Sequence, residues 1–172
     1  HKETYDTLFL TGLRIGELCA LRWCDLDLEH KKLSVRGSFS TASRKVTSPK
    51  TKTSIRTIDL PNRLVEELKQ RYERKKKLDG FNDNYYVFGD IAITWPGTFR
   101  YRFNNDLKNA DVKRITIHGF RHSHASYLLS NPMISESLVA ERLGHSVDML
   151  RSTYAHIYEK RRTALVEYIE KL

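Results

Sequence analysis

Six side chains of this sequence have types and spacings suited to chemistry at a phosphate. Most lie in the C-terminal third, within His118-Gly119-Phe120-Arg121-His122, in Leu143-Gly144-His145, and at Tyr154, nine residues beyond that last histidine. The others lie far upstream, an arginine in a helical stretch and a lysine in a polar turn. The set is Arg14, Lys50, His118, Arg121, His145 and Tyr154. Arginines, histidines, a lysine and a tyrosine are the parts needed to attack a phosphodiester without a metal ion.

Two arginines are the candidates for stabilising charge on the phosphate. When phosphorus becomes five-coordinate, negative charge builds on the nonbridging oxygens, and fixed donors must meet it where no metal does. A guanidinium suits this role because its planar fork donates two hydrogen bonds and keeps its charge. Arg14 lies in the helical stretch 11–18, and Arg121 lies one helical turn after His118. Glu17, one turn beyond Arg14, is either a carboxylate that holds that guanidinium or an ordinary helix charge.

Tyr154 is the candidate nucleophile. A phenol has a pKa near 10, so it attacks poorly at neutral pH unless nearby cations favour the phenolate. The chain has nine tyrosines, most of which must be packing residues, and Tyr154 is singled out by its position after His145. Gly144 can end one helix and Ser146 can cap the next. That turn would hold His145 near the start of a helix whose last turn carries Tyr154.

Histidine and lysine supply the groups that move or donate protons. His118 can share a proton near pH 7, and His145 can donate a hydrogen bond to a nonbridging oxygen. Taken singly, either would be an ordinary capped or core histidine. Lys50 could protonate the leaving 5′ oxygen, and Lys52 is a rival on the same side of a regular hairpin. Contact with a DNA phosphate is the alternative role for both lysines.

A zinc site is the competing interpretation of the histidines. His118 and His122 have the i, i+4 spacing that places two ligands on one helix face, and His124 follows closely. However, no glutamate lies between them to act as a base, and the charge of Arg121 would oppose a bound cation. We therefore expect no metal and no other cofactor.

The hydrophobic pattern predicts a mainly α fold with a small three-stranded antiparallel β-sheet, which is an α+β class. Helices are expected at about 4–12, 14–23, 61–78, 96–108, 118–130, 135–143, 146–154 and 158–171. Strands are expected at 33–35, 44–46 and 54–58, with the polar turn 48–53 at the tip of the sheet, and a further short strand at 85–88. The last helix is amphipathic and either packs on its own domain or docks on a neighbouring subunit. Its apolar positions are Ile157, Leu165, Tyr168, Ile169 and Leu172.

The composition indicates one domain with a polyanionic partner. The chain has 172 residues, of which 40% are hydrophobic, enough for a real core. Thirty Lys and Arg against 21 Asp and Glu give a formal charge of +9, which favours nucleic acid first and an anionic membrane second. No apolar run approaches the ~20 residues that span a bilayer. Cys19 and Cys24 are too few for a disulfide framework or a four-ligand zinc site and indicate a reducing cytoplasm.

In order and spacing, these residues resemble the catalytic domain of the tyrosine recombinases, the phage-integrase family. The most specific pieces are His118-Gly119-Phe120-Arg121-His122 and Leu143-Gly144-His145 with Tyr154 after it. Pro49-Lys50-Thr51 followed by residues 54–58 is similar to the hairpin of phage and conjugative-transposon integrases. The resemblance extends from about residue 8 to about residue 158. It implies catalytic roles for Arg14, Lys50, His118, Arg121, His145 and Tyr154, with Glu17 and Lys52 in support.

The resemblance implies a specific reaction on double-stranded DNA. The tyrosine attacks the scissile phosphate, which gives a 3′-phosphotyrosyl link and a free 5′ hydroxyl, and that hydroxyl then attacks the partner duplex. Bond energy is retained, so neither ATP nor a divalent metal is needed. Two rounds through a four-way junction exchange strands between attachment sites within a homotetramer. We therefore expect a site-specific recombinase, for integration or excision of a phage or integrative element, in the cytoplasm of a bacterial host cell.

The resemblance also predicts how the chain is organised. Family members have a preceding core-binding domain and often a small arm-binding domain, and neither is recognisable here. We expect residues 1–172 to be one catalytic domain, a fragment that binds DNA weakly and can be monomeric by itself. Two alternatives stay open. A type IB topoisomerase would use the same phosphate chemistry without strand exchange, and a catalytically silent DNA-binding module would share only the fold.

Overall fold

Helices dominate the computed structural model, which describes residues 1–48 and 54–171, without the side chain of Lys160. The helices are α1 (Lys2–Thr11), α2 (Ile15–Ala20), α3 (Asn62–Lys75), α4 (Pro96–Ala110), α5 (Ile117–Ser130), α6 (Glu136–Leu143), α7 (Val147–Thr153) and α8 (Ala155–Ile169). The strands are β1 (Leu26–Asp27), β2 (Lys32–Val35), β3 (Ser38–Ser40), β4 (Lys45–Thr47) and β5 (Arg56–Asp59). The predicted class, mainly helical with a small antiparallel sheet, is confirmed.

The described strands form two antiparallel sheets instead of one. In the first, β2 lies between β1 and β5, and Leu33 lies opposite both Leu26 and Ile58. In the second, β3 pairs with β4. The three-stranded sheet was predicted correctly, but its third strand is β1 and not the segment 44–46. All of β4 is exposed, so it has no apolar face to place in the core sheet. Residues 49–53 of the predicted tip lie outside the described residues.

Several predicted elements differ from the structure. No strand forms at 85–88, where Tyr86 makes a single isolated bridge to Arg22. The helix expected to reach residue 23 ends at Ala20, because the backbone becomes extended at Leu21. The last helix begins at residue 155, earlier than expected, which places Tyr154 at the junction of α7 and α8.

Across residues 1–48 and 54–171, the buried apolar side chains form two hydrophobic clusters. The larger is formed mainly by the helices before residue 110 and the three-stranded sheet, and includes Leu8, Leu18, Leu33, Leu64 and Phe103. The smaller lies between α5, α6 and α7 and includes Leu129, Val139, Leu143, Leu150 and Tyr154. The predicted nucleophile therefore belongs to the second core. None of the described helices is long and apolar enough to cross a lipid bilayer.

His124 links α5 to α1 and α6. Its Nε2 accepts a hydrogen bond from Nε of Arg142 at 3.1 Å, and its ring is also hydrogen-bonded to the backbone of Phe9. Arg142 in turn donates to the carbonyl oxygens of Leu10 (2.8 Å) and Asp59 (3.1 Å). Burial, together with the neighbouring guanidinium, lowers the pKa of His124 to about 4, so the ring is neutral at pH 7. His124 is thus a structural residue.

The first half of α8 packs on the domain and the second half does not. Ile157 and Tyr158 are half-buried against the second core. Arg161 anchors the helix by donating hydrogen bonds to the carbonyl oxygens of Leu129 and Asn131. Beyond it, the apolar side chains are exposed. They are Leu165, Val166, Tyr168 and Ile169, each more than half exposed. Packing on its own domain, the first of the two interpretations, holds only for the part of α8 before residue 162.

We predict that acid lowers the free energy of unfolding through His124. The ring of His124 has a pKa near 6.5 in the unfolded chain and about 4 in the folded chain. Between these values the unfolded chain binds one proton more than the folded chain, so the free energy of unfolding decreases as the pH is lowered. The full effect is on the order of 3 kcal/mol. Urea unfolding between about pH 7 and pH 4.5 should show a smaller pH dependence in His124→Gln. His156→Gln, which changes an exposed histidine, should leave that dependence unchanged, and an unaltered slope in His124→Gln would contradict the prediction.

Candidate active site

The structure brings five of the six predicted side chains into one region. Arg14 precedes α2, His118 and Arg121 lie on α5, His145 follows α6, and Tyr154 follows α7. The charges of both arginines act on the two histidines, and the charge of Arg121 also acts on the phenol. Lys50 and Lys52, the sixth candidate and its rival, lie outside the described residues, so their roles stay predictions.

Arg121 is a buried guanidinium held by two carbonyl oxygens and an imidazole. It is 2% exposed. Nη1 donates to the carbonyl oxygen of Gly12 at 2.6 Å, and Nη2 donates to that of Leu143 at 2.6 Å and to Nε2 of His145 at 2.8 Å. Burial and the charge of Arg14 lower the pKa of Arg121 to about 9, which leaves it a cation at neutral pH. Arg121 therefore joins the ends of α1 and α6 to α5.

Two glycines permit this close approach. Gly12 ends α1 with φ 68°, and Gly144 ends α6 with φ 65°, a left-handed conformation that other residues adopt only at a cost. A Cβ on Gly12 would lie 2.7 Å from Cδ2 of His124 and 2.8 Å from Cδ2 of Leu143. The backbone of Gly12 thus comes near enough for its carbonyl oxygen to reach Arg121.

His145 is a neutral imidazole with one unsatisfied nitrogen. Burial, with the charges of Arg121 and Arg14, lowers the pKa of His145 to about 4. Because Nε2 accepts from Arg121, the ring proton lies on Nδ1. Nδ1 is buried and has no hydrogen-bond partner within the described part of the chain. An unsatisfied donor beside a guanidinium suits a site that receives an anion.

Glu17 connects Arg14 with a second arginine, Arg56. Its carboxylate is buried and accepts hydrogen bonds from the backbone N–H of Arg14 at 2.9 Å and from Nη1 of Arg14 at 3.0 Å. Both terminal nitrogens of Arg56 donate to the same carboxylate, at 3.1 and 2.9 Å. Burial alone would raise the pKa of Glu17, but the hydrogen bonds and charges of the two arginines hold it below its usual value. Glu17 is therefore an ionised carboxylate that positions Arg14, and not a solvated helix charge.

Arg56 is a residue that sequence reasoning missed. Its side chain is 3% exposed, and its Nε donates to the carbonyl oxygen of Arg142 at 2.7 Å, which links β5 to α6. The available signal was strand periodicity, because positions 56 and 58 share one face of β5. An arginine next to Ile58 on the face that enters the core indicates a cation with a buried partner.

Tyr154 is buried with its hydroxyl beside a histidine. The residue is 2% exposed and takes up a backbone conformation between helix and strand (φ −115°, ψ 29°), in the sparsely populated region where active-site residues are often found. Its hydroxyl oxygen lies 3.1 Å from Nδ1 of His122. Burial raises the pKa of Tyr154, and the charge of Arg121 opposes this shift. His122, considered from the sequence only as a metal ligand, is thus the neighbour of the predicted nucleophile.

His118 and His122 contact each other on the exposed side of α5. Their ring centroids are 4.6 Å apart, with the rings nearly perpendicular. Partial burial, followed by the electrostatic influence of His122, Arg121 and Arg14, lowers the pKa of His118. His118 is therefore a neutral proton acceptor at pH 7. In the described ranges, no group of three or more His, Cys, Asp or Glu side chains lies where it could hold a metal ion.

A cleft of about 680 Å³ adjoins this region. Its wall runs from α4 across the segment before α5 and reaches His118 and Ile15. Arg100 and Arg114 also line it, and both are exposed. The cleft therefore extends the positive charge of the site along the surface.

Comparisons with known proteins point to one family. The model of the phage integrase family matches residues 2–161. The ICEBs1 integrase of Bacillus subtilis is 31% identical over 182 residues, covering 99% of this chain and 49% of that protein. The integrase of Staphylococcus phage L54a is 32% identical, covering 95% of this chain and 49% of that protein. This chain therefore spans about half the length of these relatives.

Solved structures share the fold. The Tn1549 transposon integrase in complex with a circular intermediate DNA superposes with a TM-score of 0.78 at 23% identity, over 97% of this chain and 58% of that one. The XerA recombinase superposes with a TM-score of 0.68 at 23% identity, over 94% of this chain and 62% of that one. The resemblance inferred from the motif residues is confirmed, and the chain belongs to the phage integrase family.

Proposed function

We propose that this chain is the catalytic part of an integrase, a tyrosine-type site-specific recombinase that cleaves and rejoins DNA through a 3′-phosphotyrosyl intermediate. The observation that carries the proposal is the convergence, on the buried guanidinium of Arg121, of side chains from four separate parts of the chain. A second arginine, two neutral histidines and a buried phenol meet there. The related integrases of mobile elements make integration or excision of such an element the expected role.

Phosphate stabilisation falls to Arg14, Arg121 and His145. Arg14 is part-exposed and held by Glu17, so its second terminal nitrogen can donate to a nonbridging oxygen while the first stays fixed. Arg121 supplies the charge of its buried guanidinium, and the neutral ring of His145 supplies the Nδ1–H that has no partner among the described residues. Donors fixed before the substrate arrives cost no reorganisation as charge develops on the phosphate, which is why they favour the five-coordinate state.

The covalent step is a transfer of the phosphoryl group between oxygens. The phenol oxygen of Tyr154 gives its proton to a neighbouring histidine and forms a bond to phosphorus. The bond from phosphorus to the 5′ oxygen breaks, and the 5′ oxygen takes a proton from Lys50 or Lys52. Rejoining reverses each of these changes, with the 5′ hydroxyl of a partner strand as the nucleophile. One phosphodiester is exchanged for another, so the proposed reaction uses neither ATP nor a metal ion.

The proposed partners are double-stranded DNA attachment sites and further copies of the protein. The Tn1549 integrase and the XerH recombinase have been solved bound to DNA, the latter to its difH substrate. Here the positive cleft beside His118 would follow the DNA backbone. The exposed half of α8 supplies apolar surface for a neighbouring subunit of a homotetramer. The proposed location is the cytoplasm of a bacterial host cell, with residues 1–172 acting as one catalytic domain.

We predict a covalent protein–DNA adduct that depends on Tyr154. The intact protein is incubated in EDTA with a nicked suicide duplex that carries a site chosen by binding selection, and adducts are resolved on a denaturing gel. Wild type should form the adduct, and Tyr154→Phe should form none because it lacks the attacking oxygen. Tyr127→Phe, which changes an exposed tyrosine, is the matched control. Good binding without an adduct in wild type would favour a silent DNA-binding module, and sequence-independent relaxation of plasmid would favour a type IB topoisomerase.

Arg14→Ala should separate binding from cleavage. A donor that acts in the transition state gives a large loss of rate on removal, so single-turnover cleavage should fall by at least ~100-fold while the DNA dissociation constant changes little. The side chain is 36% exposed, so the variant should fold. Arg63→Ala, at an exposed arginine on α3, should leave both quantities unchanged. Equal losses of binding and cleavage in Arg14→Ala would show that this arginine only anchors phosphate.

Glu17→Gln should reduce the cleavage rate because Arg14 is no longer held in position. Loss of the charge that holds Arg14 should slow single-turnover cleavage by roughly 10-fold. In a double-mutant cycle with Arg14→Ala, the same change should cost little more, because the group it positions is already gone. Additive losses of cleavage rate would show that Glu17 acts independently of Arg14. Thermal melts of the two single variants and the double variant separate the loss of cleavage from the loss of stability that is expected when a buried ion pair is altered.

A further inference from the structure

The hydrogen bond between Tyr154 and His122 is not used by the chemistry described so far. The phenol oxygen lies 3.1 Å from Nδ1 of His122, a normal hydrogen-bond distance. A neutral imidazole has one nitrogen that accepts and one that donates. In the tautomer with its proton on Nε2, Nδ1 accepts the O–H of the phenol, and the attacking oxygen of the proposed reaction faces a base.

The position of His122 suits a residue that removes a proton. It lies on α5 one residue after Arg121, with its ring exposed to solvent, while Tyr154 is buried. The two rings meet edge to face, with centroids 5.8 Å apart. A base that bridges a buried phenol and bulk water can take the proton and pass it on.

One cation near this pair favours the phenolate. Burial raises the pKa of Tyr154, and the charge of Arg121, which lies on α5 next to His122, lowers it. His118 on α5, His145 after α6 and Arg14 before α2 belong to the same group, since the charges of both arginines act on these two histidines. Arg121 therefore stabilises negative charge on the phenol oxygen once its proton has left.

We propose that His122 is a further catalytic residue, which fixes the hydroxyl of Tyr154 and accepts its proton as the phenol oxygen attacks phosphorus. This inference rests on the proposed function. As the O–P bond forms, the phenol proton moves to Nδ1 of His122, and the bond to the 5′ oxygen breaks with a proton supplied by the lysine. When the partner strand rejoins, His122 returns the proton to the departing phenol oxygen, so protons balance over the cycle.

His118 is the obvious competitor for this role. The hydrogen bond that the structure gives the Tyr154 hydroxyl goes to His122, whereas His118 contacts the His122 ring. His118 lies beside the cleft and close enough to Arg14 and Arg121 to be affected by their charges. This geometry favours a contact of His118 with the phosphate and a role for His122 as the base that serves Tyr154.

The test uses two substrates with the intact protein. One is the nicked suicide duplex, and the other replaces the scissile bridging 5′ oxygen with sulfur, a leaving group that departs without a proton. His122→Ala should slow single-turnover cleavage of both by ~100-fold, with DNA binding unchanged, because general-base catalysis typically contributes at least this much. Lys50→Ala, or Lys52→Ala if that lysine is the acid, should be slow on the first and restored on the second. His156→Ala, two residues beyond the nucleophile, should cleave both like wild type.

A pH profile and a second variant separate proton transfer from positioning. Without the base, hydroxide must remove the phenol proton, so the cleavage rate of His122→Ala should rise about tenfold per pH unit where wild type has levelled off. His122→Asn keeps an oxygen that accepts the hydrogen bond but cannot take the proton, so it should remain slow and fold normally.

Three outcomes would overturn this assignment while leaving the integrase proposal intact. These are wild-type cleavage in His122→Ala, rescue of that variant by the sulfur substrate, or full activity in His122→Asn. The last would reduce His122 to a positioning residue. Failure of the proposed function itself looks different, because wild type would then form no adduct on either substrate.

Discussion

One buried cation sets the geometry of this molecule. The guanidinium of Arg121 is almost fully removed from water, and an unsatisfied charge in that position would cost several kcal/mol. Its acceptors are carbonyl oxygens at the ends of α1 and α6, with the ring of His145 alongside. Helix C-termini carry partial negative charge and free carbonyl groups, so they suit a cation. Because the Gly12 and Arg121 positions are 109 residues apart, this interaction requires the two halves of the chain to be folded together.

The choice of acceptors also preserves the charge of the site. A carboxylate bound to Arg121 would satisfy its hydrogen bonds but would cancel the field that a phosphate experiences. Carbonyl oxygens satisfy the same hydrogen bonds without cancelling the net charge. Among the described residues of this region, the one buried carboxylate is Glu17, which Arg14 and Arg56 share, so two cations are paired with a single negative charge. The described site therefore keeps a positive excess while its arginines remain paired.

The sequence was sufficient for what depends on local pattern. Helix periodicity and the glycine stops located α5, α6 and α7, and motif spacing selected Arg14, Arg121, His145 and Tyr154, which the fold brings together. It was insufficient where a residue acts through a distant partner. The pairing of β1 and β5 with β2 depends on which strand has a buried face, and the exposed 44–46 segment was assigned to the wrong sheet for that reason. The contacts of Arg56 and His122 are with Glu17 and Tyr154, 39 and 32 residues away, so local pattern could not reveal the positioning by Arg56 or the role proposed for His122.

The placement of Tyr154 follows from two opposing effects on its phenol. Burial raises the pKa of Tyr154, which keeps the oxygen protonated and unreactive, whereas the charge of Arg121 lowers it. A fully exposed phenol would be free to move and a fully ionised one would react with any electrophile. In the proposed reaction, holding the phenol protonated, buried and 3.1 Å from His122 confines its reactivity to the moment when phosphate and base are both in contact with it. Tyr154 occupies the junction of α7 and α8, where the backbone leaves one helix and enters the next. The position of α8, on its own domain or on a neighbour, therefore bears directly on the oxygen proposed to attack.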